Sequence, residues 1–201
     1  YYTFDMNKSG AVLAWEYFFP KVEVPEFFLY LQDRDMWWFR LPQSREVSAA
    51  IGSYPLTIES FKELHHHVGI DQLKLEGAAC LRLKNQQVEN MTKHHRWGYF
   101  HLPLKKITFS EKLEPGGNGD PMVPITTEIL PVANATVFFS EVGERLLELN
   151  PNSECAAYYL DRSDGKRQWG LRSRPGFDCS VIAKAFGGGG HKQASGFVET
   201  L

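Results

Sequence analysis

The chain of 201 residues is poor in cysteine. Its three cysteines, Cys80, Cys155 and Cys179, do not have the spacing of a metal site, and an odd number does not make a complete disulfide framework. This argues against a small secreted domain held by disulfides. We therefore expect reduced thiols and an intracellular location, either the cytoplasm or the lumen of an organelle such as the mitochondrial matrix.

The chain also lacks a strong excess of one charge and a long apolar run. A formal net charge of −2 excludes the strongly basic domain typical of bulk, sequence-independent nucleic-acid binding. Local basic clusters are still able to hold a small anionic ligand. The densest apolar stretch, EYFFPKVEVPEFFLYL, is interrupted by charges and prolines, so we expect no membrane-spanning segment and no membrane partner.

The apolar pattern that is present divides the chain into a helical front half and a mixed second half. Ser9 is a candidate cap for GAVLAWEYFF, Pro25 a candidate first helical residue of PEFFLYLQ, and residues 44–95 have a helical pattern. After Trp97 come a strand, a helix, a hairpin with an Asp-Gly turn, a helix starting at Asp178 and a final strand. The predicted fold class is α/β, with an α+β, mixed-sheet C-terminal domain.

The most distinctive stretch is AFGGGGHKQASGF, near the end of the chain. Consecutive glycines let the backbone approach an anion closely and point successive N–H groups toward it. His191 or Lys192 would add a charge-assisted contact to a phosphate, and the upstream GLRSR supplies the fork of Arg172 and the hydroxyl of Ser173. The alternative is a helix C-cap followed by a flexible linker.

Three stretches together carry a family resemblance: PVANATVFFSEVGERLLE, AAYYLDRSDGKRQWGLRSR and FDCSVIAKAFGGGGHKQASGF. They resemble the C-terminal, substrate-binding domain of the DHH phosphoesterase superfamily. That superfamily includes RecJ-type exonucleases, nanoRNA-degrading enzymes and polyphosphate hydrolases. The resemblance implies that a set of residues contacts the substrate's phosphate and terminal nucleotide: Arg172, Ser173, Gly187, Gly188, Gly189, Gly190 and His191.

The front of the chain resembles the end of the superfamily's catalytic domain. FDMNKSGAVLAWEYF and PEFFLYLQDRDMWWF are similar to a helix containing Ser-Gly-Ala followed by an Asp-Arg-Asp strand end. The resemblance implies a metal-binding role for Asp33, with Asp35 as the second candidate. The alternative from the residues alone is a solvated turn in which one carboxylate pairs with Arg34 or Arg40.

The resemblance implies hydrolysis of phosphodiester or phosphoanhydride bonds by paired Mn²⁺ or Mg²⁺ ions. The Asp-His-His element that names the superfamily is absent from the sequence, since Leu64 precedes the histidines of LHHHVG. No catalytic residue is therefore assigned. We expect residues 1–43 to be the end of the catalytic domain, residues 44–97 a helical connector and residues 98–201 the substrate-binding domain.

Two functions follow from this resemblance. One is a phosphoesterase acting on short oligonucleotides, dinucleotides or related phosphate compounds, with this chain mainly supplying substrate recognition. The other is a catalytically inactive subunit that binds nucleic acid or serves assembly. A homodimer or larger assembly is a further expectation.

Overall fold

The computed structural model describes residues 5–112 and 127–201. They divide into two compact units, Tyr1–Asn85 and Gln86–Leu201. The domain boundaries expected from the resemblance remain predictions. Most of the YYTFD segment and most of the glycine-rich EKLEPGGNGDP segment lie outside the described residues.

The first unit is helical throughout its described part. Its elements are α1 (Gly10–Phe18), α2 (Glu26–Asp35), α3 (Ser44–Ile51), α4 (Ile58–Glu63), a π-helical turn (Leu64–Val68) and α5 (Ile70–Thr92), which continues into the second unit. Ser9 caps α1 by accepting a hydrogen bond from the Val12 N–H, as predicted. Pro25 is the N-cap of α2 rather than its first helical residue.

Apolar side chains from α2, α3, the π-helical turn and α5 form the core of the first unit. On α2 the buried residues Phe27 and Tyr30 are three apart, so they share one helix face. The buried cluster also contains Val47, Ala50, Ile51, Leu64 and Leu73. A Cβ atom at Gly77 would overlap the backbone of Glu46, so α5 can pass α3 at this distance because position 77 has no side chain.

The second unit is built on a seven-stranded sheet. Its strands are β1 (Arg96–His101), β2 (Lys106–Ser110), β3 (Thr127–Asn134), β4 (Cys155–Asp161), β5 (Lys166–Ser173), β6 (Gly189–His191) and β7 (Ala194–Thr200). A 3₁₀ turn (Leu102–Leu104) joins the first two strands. The strand order is β2-β1-β3-β4-β5-β7-β6, in which β3 and β4 pair parallel and the other neighbours pair antiparallel.

Two helices cover opposite faces of this sheet. Helix α6 (Phe139–Leu149) connects β3 to β4 and packs with Ala156 and Tyr158. Helix α7 (Ser180–Ala185) connects β5 to β6 and packs with Trp169 and Leu171. The predicted α+β class with a mixed sheet is confirmed, whereas β1 and β2 were not predicted.

One expectation for the first unit is wrong. The Asp-Arg-Asp segment is not at a strand end, because Asp33 and Asp35 are both in α2 and Asp35 is its last residue. The local pattern of PEFFLYLQ, which predicted a helix, was the better guide. Among the described helices, none is both long and apolar enough to cross a lipid bilayer.

Candidate nucleotide-binding face

The glycine run is not a flexible linker. Gly187 ends α7 with a φ of +84°, and Gly188 donates its N–H to the carbonyl of Ala183 at 2.8 Å. The chain then enters the edge strand β6, which pairs antiparallel with β7 through a two-residue turn at Lys192 and Gln193. The run is therefore part of the sheet.

Three of the four glycines are required by the backbone. Gly187 has the left-handed conformation that ends the helix, and Gly190 has a φ of +138°. A Cβ atom at Gly190 would lie 2.6 Å from the Cα of Ser195, and one at Gly188 would overlap the carbonyl oxygen of Gly196. Gly189 differs: its φ is ordinary and a Cβ atom there would meet nothing within 4 Å. No contact among the described residues requires glycine at position 189.

The pairing register aligns Arg172 with His191. Arg172 on β5 is opposite Ala194 on β7, and Ala194 is opposite His191 on β6. Residues directly opposite one another have side chains on the same face of a sheet, so Arg172 and His191 share a face. With Ala194 between them, their strands are separated by two strand spacings, or about 10 Å.

The next row on the same face consists of glycines. Gly170 on β5 is opposite Gly196 on β7, which is opposite Gly189 on β6. Gly170 itself is buried beneath the Tyr158 ring. The remaining residues of the two rows form a surface of small residues between one arginine and one histidine. We call this surface the open sheet face; it comprises Arg172, Gly189, His191, Ala194 and Gly196. Of these, His191 is exposed and the other four are half-buried.

Helix α6 holds Arg172 in place. A Cβ atom at Gly143 would lie 2.6 Å from the Cγ of Arg172, so the arginine stem passes the helix at a position without a side chain. The guanidinium donates to the Ser140 hydroxyl at 2.8 Å and to the Leu171 carbonyl at 3.0 Å, and lies 5.8 Å from the Tyr158 ring centroid. Arginine has five N–H donors, and these two bonds within the described residues leave room for an external acceptor.

Ser173 is on the opposite face from Arg172, because successive strand residues alternate. Its hydroxyl is within hydrogen-bonding distance of the carbonyls of Phe177 at 2.8 Å and Lys192 at 3.1 Å. The Cys179 N–H also donates to the Lys192 carbonyl, at 2.8 Å. Ser173 therefore anchors the turn between β6 and β7, while the Lys192 side chain is exposed there. The substrate contacts expected of Ser173 and Lys192 remain predictions.

A pair of thiols is buried on the α7 side of the sheet. The Ser195 hydroxyl donates to the Cys179 sulfur at 3.2 Å. A hydrogen bond from the Cys155 thiol lowers the pKa of Cys179 to about 6, against the opposing effect of burial, and the pKa of Cys155 is raised by the same interaction and by burial. All three cysteines of the chain are free thiols. Cys155 and Cys179 are both buried, so neither belongs to the open sheet face.

Asp33, the predicted metal ligand, is 3% exposed, and its carboxylate accepts hydrogen bonds from main-chain N–H groups. Its two carboxylate oxygens accept the N–H groups of Arg40 and Leu41, each at 3.0 Å. Burial acts to raise the pKa of this carboxyl, but the nearby Ser44 hydroxyl and the two N–H donors lower it below its ordinary value. Asp35, the second candidate, is exposed at the end of α2.

These positions do not assemble a metal centre. Within residues 5–112 and 127–201, no three His, Cys, Asp or Glu side chains come together as metal ligands. Each carboxylate oxygen of Asp33 accepts one backbone N–H, which leaves each oxygen a second lone pair. The metal-binding role of Asp33 and the paired-metal site remain predictions.

The triple histidine lies in the π-helical turn of the first unit. His65 is packed with Phe27 and Phe28, with ring centroids 5.6 and 5.3 Å away. Burial, and then the neighbouring His66, lower the pKa of His65. This histidine is part of the helical packing.

Sequence reasoning missed several residues of the open sheet face and its support. Ala194 and Gly196 line the face, and Gly143 and Ser140 position Arg172. A usable signal was the spacing of two in Ala194-x-Gly196, because residues two apart on a strand share a face. Gly143 gave no such signal, since its role depends on a contact between a helix and a distant strand.

Comparisons with known proteins give a sequence relative and distant structural likenesses. No family model matches the chain. An uncharacterised protein of Acanthamoeba polyphaga mimivirus is 31% identical over 199 residues; the match covers 96% of this chain and 41% of that protein. This chain thus spans about two fifths of the length of its curated relative.

Among solved structures, the chain is similar to the pGpG-specific phosphodiesterase PggH from Vibrio cholerae. The TM-score is 0.46 at 10% identity, over 96% of this chain and 68% of that one. An uncharacterised protein from Helicobacter pylori gives a TM-score of 0.32 at 13% identity, over 98% of this chain and 62% of the other. At these scores the function has to be argued from the residues of this chain.

Proposed function

We propose that the open sheet face binds a phosphate group of a nucleotide or short oligonucleotide. In this proposal the chain supplies substrate recognition for a phosphoesterase of the DHH type. The observation that carries it is the row of Arg172, Ala194 and His191, beside a glycine at position 189 that no contact among the described residues requires.

The chemistry of the face suits a phosphate ester. The guanidinium of Arg172 is a planar fork that matches two phosphate oxygens, and its stem is already fixed by Gly143 and Ser140. The imidazole of His191 offers a second N–H donor across the row. Small residues between them let a ligand lie against the backbone, in the way that glycine allows at phosphate sites.

The width of the face favours a nucleotide over free phosphate. The strands that carry Arg172 and His191 are about 10 Å apart, which is wider than one phosphate group. A phosphate with its sugar, or two linked nucleotides, would span this separation. The sequence resemblance to the substrate-binding domain of the DHH superfamily supports the same class of ligand.

The decisive variant is Gly189→Ala. A methyl group there meets open space within the chain, so the fold should be retained. A ligand lying against the backbone would meet the methyl group, and we expect binding to be weaker by about tenfold. Gly10→Ala is the matched control, because its Cβ atom also meets nothing within 4 Å and its φ is also ordinary.

Binding is measured by isothermal titration calorimetry with a 5′-phosphorylated dinucleotide and with the same dinucleotide lacking that phosphate. Arg172→Lys should weaken binding of the phosphorylated form by about tenfold or more, because a point charge cannot replace a bidentate fork. Equal affinity of the Gly189→Ala and Gly10→Ala chains would refute the proposed site. Equal affinity for the two dinucleotides would refute the phosphate as the group recognised.

A hydrolysis assay distinguishes a phosphoesterase from a catalytically inactive subunit. The full-length protein is incubated with the phosphorylated dinucleotide and Mn²⁺, and the released nucleotide is quantified by chromatography. Hydrolysis that Arg172→Lys reduces would support the phosphoesterase. Binding without hydrolysis would favour the non-catalytic, nucleic-acid-binding alternative.

A further inference from the structure

A second group of residues with binding chemistry lies in the first unit, between α2 and α3. We call residues 36–43 the aromatic turn; it contains Trp37, Trp38 and Phe39. Trp37 and Phe39 have φ values of +57° and +49°, in the left-handed region that large side chains rarely adopt. The Asp33 carbonyl accepts the N–H groups of Trp38 and Phe39, and the Asp33 carboxylate accepts two further N–H groups.

Backbone in this conformation has a cost. A residue with a side chain is strained in the left-handed region, and glycine or asparagine would avoid most of that strain. Trp37 and Phe39 nevertheless occupy these positions, and strained residues of this kind cluster at functional sites.

Three arginines lie over the rings of the aromatic turn. The guanidinium carbon of Arg34 is 4.3 Å from the Trp37 ring centroid, that of Arg45 is 4.1 Å from Phe39, and that of Arg40 is 5.1 Å from Trp38. Trp37 and Phe39 contact each other edge to face at 5.0 Å. Arg40 and Arg45 are exposed, and the three rings are half-buried.

This arrangement suits stacked bases better than a simple anion. A guanidinium held over a ring presents its other face to a planar group and its N–H edge to a phosphate oxygen. Proteins recognise unpaired bases by stacking them on aromatic rings and on arginine planes. The stretch is not strongly basic, because Asp33, Asp35 and Glu46 equal the arginines in number. Recognition here would depend on stacking more than on net charge.

We propose that the aromatic turn, with Arg34, Arg40 and Arg45, binds a segment of single-stranded nucleic acid. The rings and guanidinium planes stack against bases, and the exposed Arg40 contacts a phosphate between them. This site is formed by the first unit alone. It does not depend on phosphate binding at the open sheet face.

The test is fluorescence anisotropy of the full chain with labelled oligonucleotides of about 12 nucleotides, one of uridines and one of thymidines, both without a 5′-phosphate. The double variant Arg40→Gln/Arg45→Gln should bind about tenfold or more weakly. Arg82→Gln is the control for loss of a positive charge elsewhere in the same unit, since this arginine is exposed on α5 and away from the aromatic turn in sequence. It should bind like the unaltered chain.

Arg45→Lys distinguishes stacking from charge. It keeps the positive charge but loses the plane over Phe39, so we expect a several-fold loss. The slope of log affinity against log salt, between about 50 and 200 mM, should be shallow, with a magnitude near 1–2. Circular dichroism checks that each variant is folded. Trp38→Ala removes the ring beneath Arg40 and should also weaken oligonucleotide binding.

Three results would overturn the proposal. One is equal binding by the Arg40→Gln/Arg45→Gln and Arg82→Gln chains. Another is no binding by the unaltered chain. The third is competition by polyglutamate as effective as by unlabelled oligonucleotide, which would assign the turn to an acidic protein partner. Repeating the titration in an Arg172→Gln chain separates this site from the open sheet face, because binding at the aromatic turn should persist there.

Discussion

Two segments of the chain pass through the left-handed backbone region with opposite residue choices. From the end of α7 through β6, the left-handed positions are Gly187 and Gly190. Between α2 and α3 they are Trp37, Phe39 and Gln43. Glycine leaves space above the backbone, whereas Trp37 and Phe39 fill it with rings that contact each other. The first segment therefore presents bare backbone, and the second presents side chains.

The glycine segment from Gly187 to Gly190 should tolerate a side chain poorly at its left-handed positions. Gly190→Ala should lower the free energy of unfolding by about 3 kcal/mol, because the alanine is strained at this φ and its Cβ atom lies 2.6 Å from the Cα of Ser195. Urea denaturation followed by circular dichroism measures this change. Gly10→Ala, whose Cβ atom meets open space, should cost almost nothing. Equal effects of the two variants would contradict the pairing of β6 with β7.

The aromatic turn depends on hydrogen bonds to the Asp33 carboxylate. Asp33→Asn should lower the free energy of unfolding by about 2 kcal/mol at pH 7, because an amide cannot accept both N–H groups as the carboxylate does. Thermal unfolding measures the loss. Asp35→Asn is the control, since this neighbouring carboxylate is exposed, and its effect should be small.

The effect of Asp33 should also depend on pH. The folded protein lowers the pKa of this carboxyl, so the carboxylate stabilises the fold above its unfolded pKa of about 3.9. That contribution is lost as the pH falls through the lower, folded pKa. The difference in unfolding temperature between the Asp33→Asn and unaltered chains should therefore shrink below about pH 4. A difference that stays constant down to pH 3 would contradict this role.

The smallest effect is expected where a left-handed residue has no evident side-chain role. Gln43 is exposed, has a φ of +53° and makes no capping hydrogen bond to α3. Gln43→Gly should raise the free energy of unfolding by up to about 1 kcal/mol, because relief of strain exceeds the entropy that glycine adds to the unfolded chain. Gln87→Gly, at an exposed position inside α5, should instead lower it by about 1 kcal/mol. Destabilisation by both variants would show that Gln43 is not strained.

Local sequence pattern predicted the elements of the second unit from β3 onward, apart from β6. The strands β3, β4, β5 and β7 and the helices α6 and α7 all begin and end close to the expected residues. Alternation, the Asp-Gly turn and Gly187 at the end of α7 depend on neighbouring residues, so a single sequence reveals them. The same local signals predicted Ser9 as the cap of α1.

The geometry of the open sheet face could not be predicted in this way. Arg172 and His191 share a row because β7 lies between β5 and β6, and that order is decided by pairing over long sequence separations. The pattern of the glycine run suggested a loop. A strand of three residues, two of them glycine, has no apolar alternation by which to recognise it.

Asp33 shows where resemblance and local pattern disagree. The resemblance placed it at a strand end as a metal ligand, while the spacing of Phe27 and Tyr30 continues as a helix to Asp35. Its hydrogen bonds to Arg40 and Leu41 depend on the path of the following turn. That path contains left-handed aromatic residues, which no propensity would suggest.

The anchoring of the β6–β7 turn has a consequence for how this surface can evolve. The turn is fixed through its main-chain carbonyls. The Lys192 carbonyl accepts hydrogen bonds from the Ser173 hydroxyl and the Cys179 N–H, and the Gln193 carbonyl accepts one from the Ser173 N–H. The side chains of Lys192 and Gln193 are exposed and carry none of these contacts. Substitutions at these two positions can therefore change what borders His191 without moving it. The chemistry of this edge is free to diverge while the fold is conserved.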